Sequence, residues 1–170
     1  MVAMKKDGEL EDTRECEGSG SCDTENTKCE GCRACSETLR ALLDQEKEWM
    51  DKSGFYVHLV PSSEHKNGLI NAHTHGLKET QGHPDLQVVA PIQPGLVMQV
   101  IHAAANRIKD GRTYKDGVVA EGILRGMVVK FLKVRECDRD VLRIILPDPK
   151  GRVEKEEMEE AWAMQYQDPD

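Results

Sequence analysis

Residues 71–85, NAHTHGLKETQGHPD, hold His73, His75 and His83, three of the six histidines in the chain, so imidazole chemistry concentrates there. Neutral imidazole ligates zinc at about 2.0–2.1 Å, and three protein ligands plus water make a catalytic zinc site. In an extended segment His73 and His75, two positions apart, point to the same side. The intervening KETQG is long enough to bring His83 back toward them. Glu79 or Asp85 would then serve as general base toward metal-activated water. The same residues also fit a turn set by Gly76, Gly82 and Pro84, with His75 and His83 bonded to backbone carbonyls. Strand-end histidines commonly bond this way, and the turn is the preferred reading. His-x-His also occurs in metal-dependent amidohydrolases, but their (β/α)₈ barrel needs about 250 residues. This chain has 170 and no alternating strand–helix units. His58 reads as a packed strand residue and His102 as a neighbour of the core.

Thiols form the second concentration. Cys16, Cys22, Cys29, Cys32 and Cys35 fall within twenty residues, and the last three repeat as Cys-x-x-Cys-x-x-Cys. In a reducing compartment, clustered thiols are more often metal ligands or redox groups than disulfides. Four thiolates suit tetrahedral zinc, which would order a segment that has no core of its own. An iron–sulfur cluster is the runner-up, lacking the usual fourth cysteine before proline. Cys137 stands apart, in a turn.

The elements that must position these residues follow from periodicity. Residues 1–35 are polar and acidic, a cysteine-rich extension with net charge −4. Ser36 offers an N-cap to a helix whose Leu39, Leu42, Leu43, Trp49 and Met50 share one face, and Gly54 ends it. Strands are predicted over 55–61, 69–77 and 86–92, the third apolar enough to be central. Residues 94–111 give the clearest helix, with Pro94 in its first turn and Val97, Val100, Ile101, Ala104, Ala105 and Ile108 on one face. Strands over 126–136 and 140–149 flank a hairpin turn. Residues 150–170 carry most of a second acidic end and are expected to be a tail, partly helical and dispensable for folding. The resulting fold class is α+β: a mainly antiparallel sheet with two principal helices over residues 36–149.

Several short motifs then occur in a fixed order. They are Cys32-Arg33-Ala34-Cys35, Gly54-Phe55, Thr74-His75-Gly76-Leu77, Gly82-His83-Pro84-Asp85-Leu86 and Tyr114-Lys115-Asp116-Gly117. Together they resemble the bacterial domain-of-unknown-function family 4262 over roughly residues 32–148. His73 stands where that family commonly has an aromatic residue, and the cysteine-rich extension is unusual for it. The resemblance implies a fold outline and no particular activity.

No basic stripe with interleaved aromatics marks a nucleic-acid surface, and no run approaches the roughly 18 apolar residues of a membrane span. No phosphate-binding loop or nucleophile elbow occurs. The first residues lack an apolar core and cleavage signal, so a cytoplasmic location is expected. The reading at this level is a zinc-binding module, regulatory or binding in role, toward a protein or small-molecule ligand. The alternative is a small metal-dependent hydrolase using His73, His75 and His83.

Overall fold

Val97, Val100, Ile101, Ala104, Ala105 and Ile108, the residues of strongest helical periodicity, are all buried along α3 (Pro94–Lys109) in the computed structural model. Pro94 suits the first turn because its missing N–H has no partner to lose there. The structure describes residues 33–60, 69–136 and 139–167. The chain divides into two compact units, Met1–Glu48 and Trp49–Asp170. In the first, the described part is helical: α1 (Arg33–Ser53) begins ahead of Ser36, so Cys35 lies within it. Leu39, Leu42 and Leu43 are each more than half exposed. Cys16, Cys22, Cys29 and Cys32 lie outside the described residues, as does Cys137.

The second unit is an α+β arrangement around six strands, β1 (Tyr56–Val60), β2 (Ile70–His75), β3 (Asp85–Ala90), β4 (Val119–Leu124), β5 (Met127–Glu136) and β6 (Arg139–Ile145). Their order across the sheet is β1-β2-β3-β6-β5-β4. The expected mainly antiparallel sheet is in fact mixed. β3 and β6 run parallel through Asp85↔Val141, Leu86↔Leu142 and Gln87↔Arg143, while the other pairings are antiparallel. A parallel pair needs a long crossover, and α3 with the β4–β5 hairpin supplies it.

β4 was not expected from the sequence. Glu121 and Gly122 break its apolar alternation, and its register against β5 shifts between Glu121 and Leu124. Gly122 has φ +81, and a Cβ there would come within 2.5 Å of the Arg107 guanidinium. The positive φ favours glycine here, and a larger residue would also displace the Arg107 guanidinium.

Strand alternation sorts the sheet into two faces. One carries Ile70, Ala72, Leu86, Val88, Phe131, Leu142 and Ile144, which pack with α3 into the main core. Each such side chain contributes roughly 1.5–3 kcal/mol on burial. β3, buried at all six positions, is the central strand its sequence predicts.

The other face is polar at its centre. Arg143, fully buried, donates from Nε to Gln87 Oε1 at 2.7 Å. It also donates from Nη1 to the carbonyls of Gln165 and Gln167, at 3.0 and 2.6 Å. The C-terminal segment, expected to be a dispensable tail, therefore lies on the sheet. After a short helix, α4 (Glu160–Ala163), a 3-10 turn over Met164–Tyr166 buries Gln165 completely. Its amide pairs with both backbone groups of Leu146, accepting from N at 2.9 Å and donating to O at 3.0 Å. The acidic composition of this stretch hid these anchors, which are one glutamine side chain and two carbonyls beside the buried Val153 and Met158 and the core-packed Trp162.

Gln165→Ala should accordingly lower stability by about 1–3 kcal/mol, the cost of orphaning buried backbone groups. A chain ending at Pro149 should lose its cooperative melt. Denaturant midpoints and thermal scans of the two variants measure this, and an unchanged transition in the shortened chain would contradict the packing described.

Candidate metal centre

The polar face carries the histidines at its β1–β2 end. In the antiparallel register His58 lies opposite His73, and Tyr56 opposite His75. His73 and His75 share a face because they are two apart on β2. His58 joins them across the strand, with ring centroids 5.0 Å from His73 and 6.2 Å from His75. Each of the three offers a ligand nitrogen, and these atoms all lie within 4.8 Å of one another. Two nitrogens on tetrahedral zinc sit about 3.3 Å apart, given bonds of about 2.0–2.1 Å. Binding one ion would therefore draw the rings together by up to about 1.5 Å. His73 is buried, His75 half-buried and His58 exposed, so the group opens to solvent on the His58 side.

Glu136, at the end of β5, stands behind His73. Its Oε1 is 3.0 Å from His73 Nδ1, but the ring N–H does not aim at it, leaving that buried nitrogen without a true hydrogen bond. The carboxylate is fixed from elsewhere: Gln87 Nε2 donates to Oε1 at 2.7 Å and Arg139 Nη2 to Oε2 at 3.0 Å. Burial opposes its ionisation, but His73 and Arg139 outweigh burial and hold its pKa down to about 2. A fixed carboxylate behind one imidazole nitrogen is what orients a metal-ligating histidine and leaves its other nitrogen free. The orphaned Nδ1 fits that role, since a slight rotation toward a metal would align it.

Arg139 works in the opposite sense. Its Nη1 donates to His75 Nδ1 at 3.1 Å and to Asp85 Oδ2 and Thr74 O, both at 3.2 Å. Arginine only donates, so neutral His75 carries its proton on Nε2. Burial, then Arg139 and the other two histidines, lower the His75 pKa to about 4. The ring is neutral, as a ligand must be, but Arg139 occupies one nitrogen. Tyr56 stacks on its face, at 4.9 Å and 15° between planes.

His83 is placed apart from this group. Its Nδ1 bonds to Pro84 O at 2.7 Å and its Nε2 accepts from Tyr114 N at 3.1 Å. Both nitrogens serve the backbone, and burial lowers its pKa. Asp85 is likewise engaged. Its Oδ1 accepts from the Thr74 hydroxyl at 2.9 Å and from Leu77 N at 3.2 Å, while Oδ2 faces Arg139. Burial raises its pKa despite these donors. Glu79 is exposed on α2 (Leu77–Gln81), a short helix between Gly76 at φ +104 and Gly82 at φ +65. A Cβ on Gly76 would meet Met50 Sδ at 2.5 Å.

Of the residues singled out from sequence, His73 and His75 thus come together, whereas His83, Asp85 and Glu79 stand outside the group. His58, Glu136 and Arg139 complete it, and the β1–β2 register was the signal needed to find His58. No described helix is long and apolar enough to cross a membrane. A family model described as a domain of unknown function, DUF4262, matches residues 50–153. No curated protein and no solved structure matches the chain.

The His75 shift has a sign. Between the ordinary 6.5 and about 4, the unfolded chain binds more protons at this residue than the folded one. Stability therefore falls as pH drops through that window. Glu136, depressed from 4.5 to about 2, adds a second loss at lower pH, as pH falls from 4.5 toward 2. Urea midpoints at pH 7 and pH 5 should differ in the native chain, and by less in His75→Gln. An equal difference in both would remove His75 as the source.

Proposed function

The chain belongs to the DUF4262 family, and from that premise we propose that it is a metal-binding module centred on His58, His73 and His75, with zinc the preferred ion. The observation that carries the reading is the convergence of three imidazole nitrogens within 4.8 Å. The Glu136 carboxylate behind His73 supports it. All-imidazole sites suit zinc, copper and nickel; zinc is preferred because it accepts a tetrahedral site without redox chemistry. Three protein ligands leave one position for water or for a ligand atom of a binding partner. Metal occupancy would thereby control what the domain binds, the regulatory role proposed for it in the cytoplasm.

The cysteine-rich extension is proposed as a separate thiolate site, drawn from Cys16, Cys22, Cys29, Cys32 and Cys35, again for zinc with an iron–sulfur cluster as the alternative. The two sites are distinguishable by substitution. Cys29→Ser with Cys32→Ser should remove the thiolate-bound metal and leave the histidine-bound one.

A hydrolytic role is the second reading, favoured by the solvent-open side of the histidine group. A metal-bound water would need a base near it. Asp85 has its oxygens committed to Thr74, Leu77 and Arg139. Ester or phosphoester cleavage by the zinc-loaded chain, lost in His58→Ala and His73→Ala alike, would establish this reading over simple binding.

Zinc titration with elemental analysis tests the main proposal. Besides any thiolate-held metal, the native chain should bind one zinc that His58→Ala and His73→Ala lose, while His83→Ala keeps it and loses about 1–3 kcal/mol of stability instead. Glu136→Gln should weaken zinc about 10–100-fold. Arg139→Gln should tighten it, since it frees the His75 nitrogen and removes a positive charge. Unchanged zinc binding in His73→Ala, with the thiols substituted, would overturn the site.

A further inference from the structure

The α3 face holds a second feature, remote from the histidines and on the opposite side of the sheet. A cleft of about 450 Å³ runs between α3, the β4–β5 hairpin and the C-terminal segment. Its walls are mainly apolar, with Leu96, Val100, Leu124, Met127, Leu146 and Trp162 among them. Leu96 is 50% exposed and Met127 46%. Leu96 and Met127 thus leave apolar surface open to solvent along one cleft, where a ligand could cover it.

The charges at this cleft differ in their availability. Asp148, the acidic residue that lines it, is already bonded to the Arg152 guanidinium and to the N–H groups of Lys150, Arg152 and Glu159. Arg125, an exposed residue of the hairpin turn that also lines the cleft, has no hydrogen-bond or ion-pair partner among the described residues. An uncommitted guanidinium beside an apolar cleft complements a ligand with a carboxylate at one end and a hydrocarbon body behind it. Guanidinium is well suited to that pairing, because its fork matches carboxylate geometry.

The occupant is a small molecule on two grounds. The volume lies inside the roughly 300–1,000 Å³ range of small-ligand sites. The adjoining edge strand is also a poor template for an added peptide strand, because β4 shifts register between Glu121 and Leu124 and turns at Gly122. Such a bulge interrupts the row of backbone groups that strand addition needs.

We infer that the cleft between α3 and the β4–β5 hairpin binds an amphiphilic carboxylate, its hydrocarbon chain against Leu96, Val100, Met127 and Trp162 and its carboxylate on Arg125. The inference is independent of metal at the histidine group.

Decanoate is the probe, added below its micellar concentration to the full chain carrying Trp49→Phe, so that Trp162 alone reports by fluorescence. Decanoate should shift Trp162 emission saturably, and decyltrimethylammonium should bind more weakly. Arg125→Gln should weaken decanoate about three- to tenfold while leaving decan-1-ol binding unchanged. Leu96→Glu should abolish binding of both; Leu96 is half exposed, so the fold tolerates the change, and a thermal melt checks it. Absence of saturable binding overturns the proposal. So does an Arg125→Gln variant with native decanoate affinity. A dimer in sedimentation that Leu96→Glu dissolves and decanoate does not would assign the cleft to a second copy of the chain, and would also overturn it.

Discussion

Gln87 has no exposed surface, and its side-chain amide must satisfy a donor and an acceptor inside the sheet. It accepts from Arg143 Nε and donates to Glu136 Oε1 and, at 3.2 Å, to Asn71 Oδ1. Those partners come from β6, β5 and β2, so one amide fixes three strands laterally. An unmatched buried polar group costs about 1–3 kcal/mol, and an unmatched charge more. The register in which all three bonds form is therefore strongly preferred. Through Arg143 the same network reaches the carbonyls of Gln165 and Gln167, and through Glu136 it reaches His73. The C-terminal packing and the histidine group are two ends of one chain of contacts.

Among the described residues, the motifs around Thr74, Gly82–Leu86 and Tyr114–Gly117 serve as scaffold. Thr74 and Asp85 interlock, with Leu86 N donating to the Thr74 hydroxyl at 2.8 Å and that hydroxyl donating to Asp85. His83 caps Tyr114, and Asp116 accepts from Lys133 N at 2.7 Å. These bonds hold the loops against the sheet ends. His73, which faces Glu136 on the polar side of the sheet, is the point at which this scaffold meets the proposed metal group.

What sequence could reveal divides along physical lines. α3 and β3 were legible because burial there is nearly continuous and leaves a periodic or apolar signature. The His73–His75 pair was legible because alternation on a strand is local. His58 was not, since its place opposite His73 depends on register, and a one-residue slip would turn it to the core face. Glu136 and Arg139 come from distant sequence and reach the site only through sheet order. The parallel β3–β6 contact, β4 and the Gln165 anchor share that difficulty: each is specified by a few nonlocal polar contacts or glycines rather than by a repeating pattern.

The parallel seam between β3 and β6 also has a kinetic meaning. On one side of it β1, β2 and β3 pair in chain order; on the other, β4, β5 and β6 do the same. Each half closes short loops, whereas the seam joins Asp85 to Val141 and must pay the entropy of a much longer one. The three histidines belong to the first half and Glu136 and Arg139 to the second. Metal held by the three histidines would therefore report the pairing of β1 with β2, and its surroundings would change again only when the seam closes and brings Glu136 and Arg139 beside it.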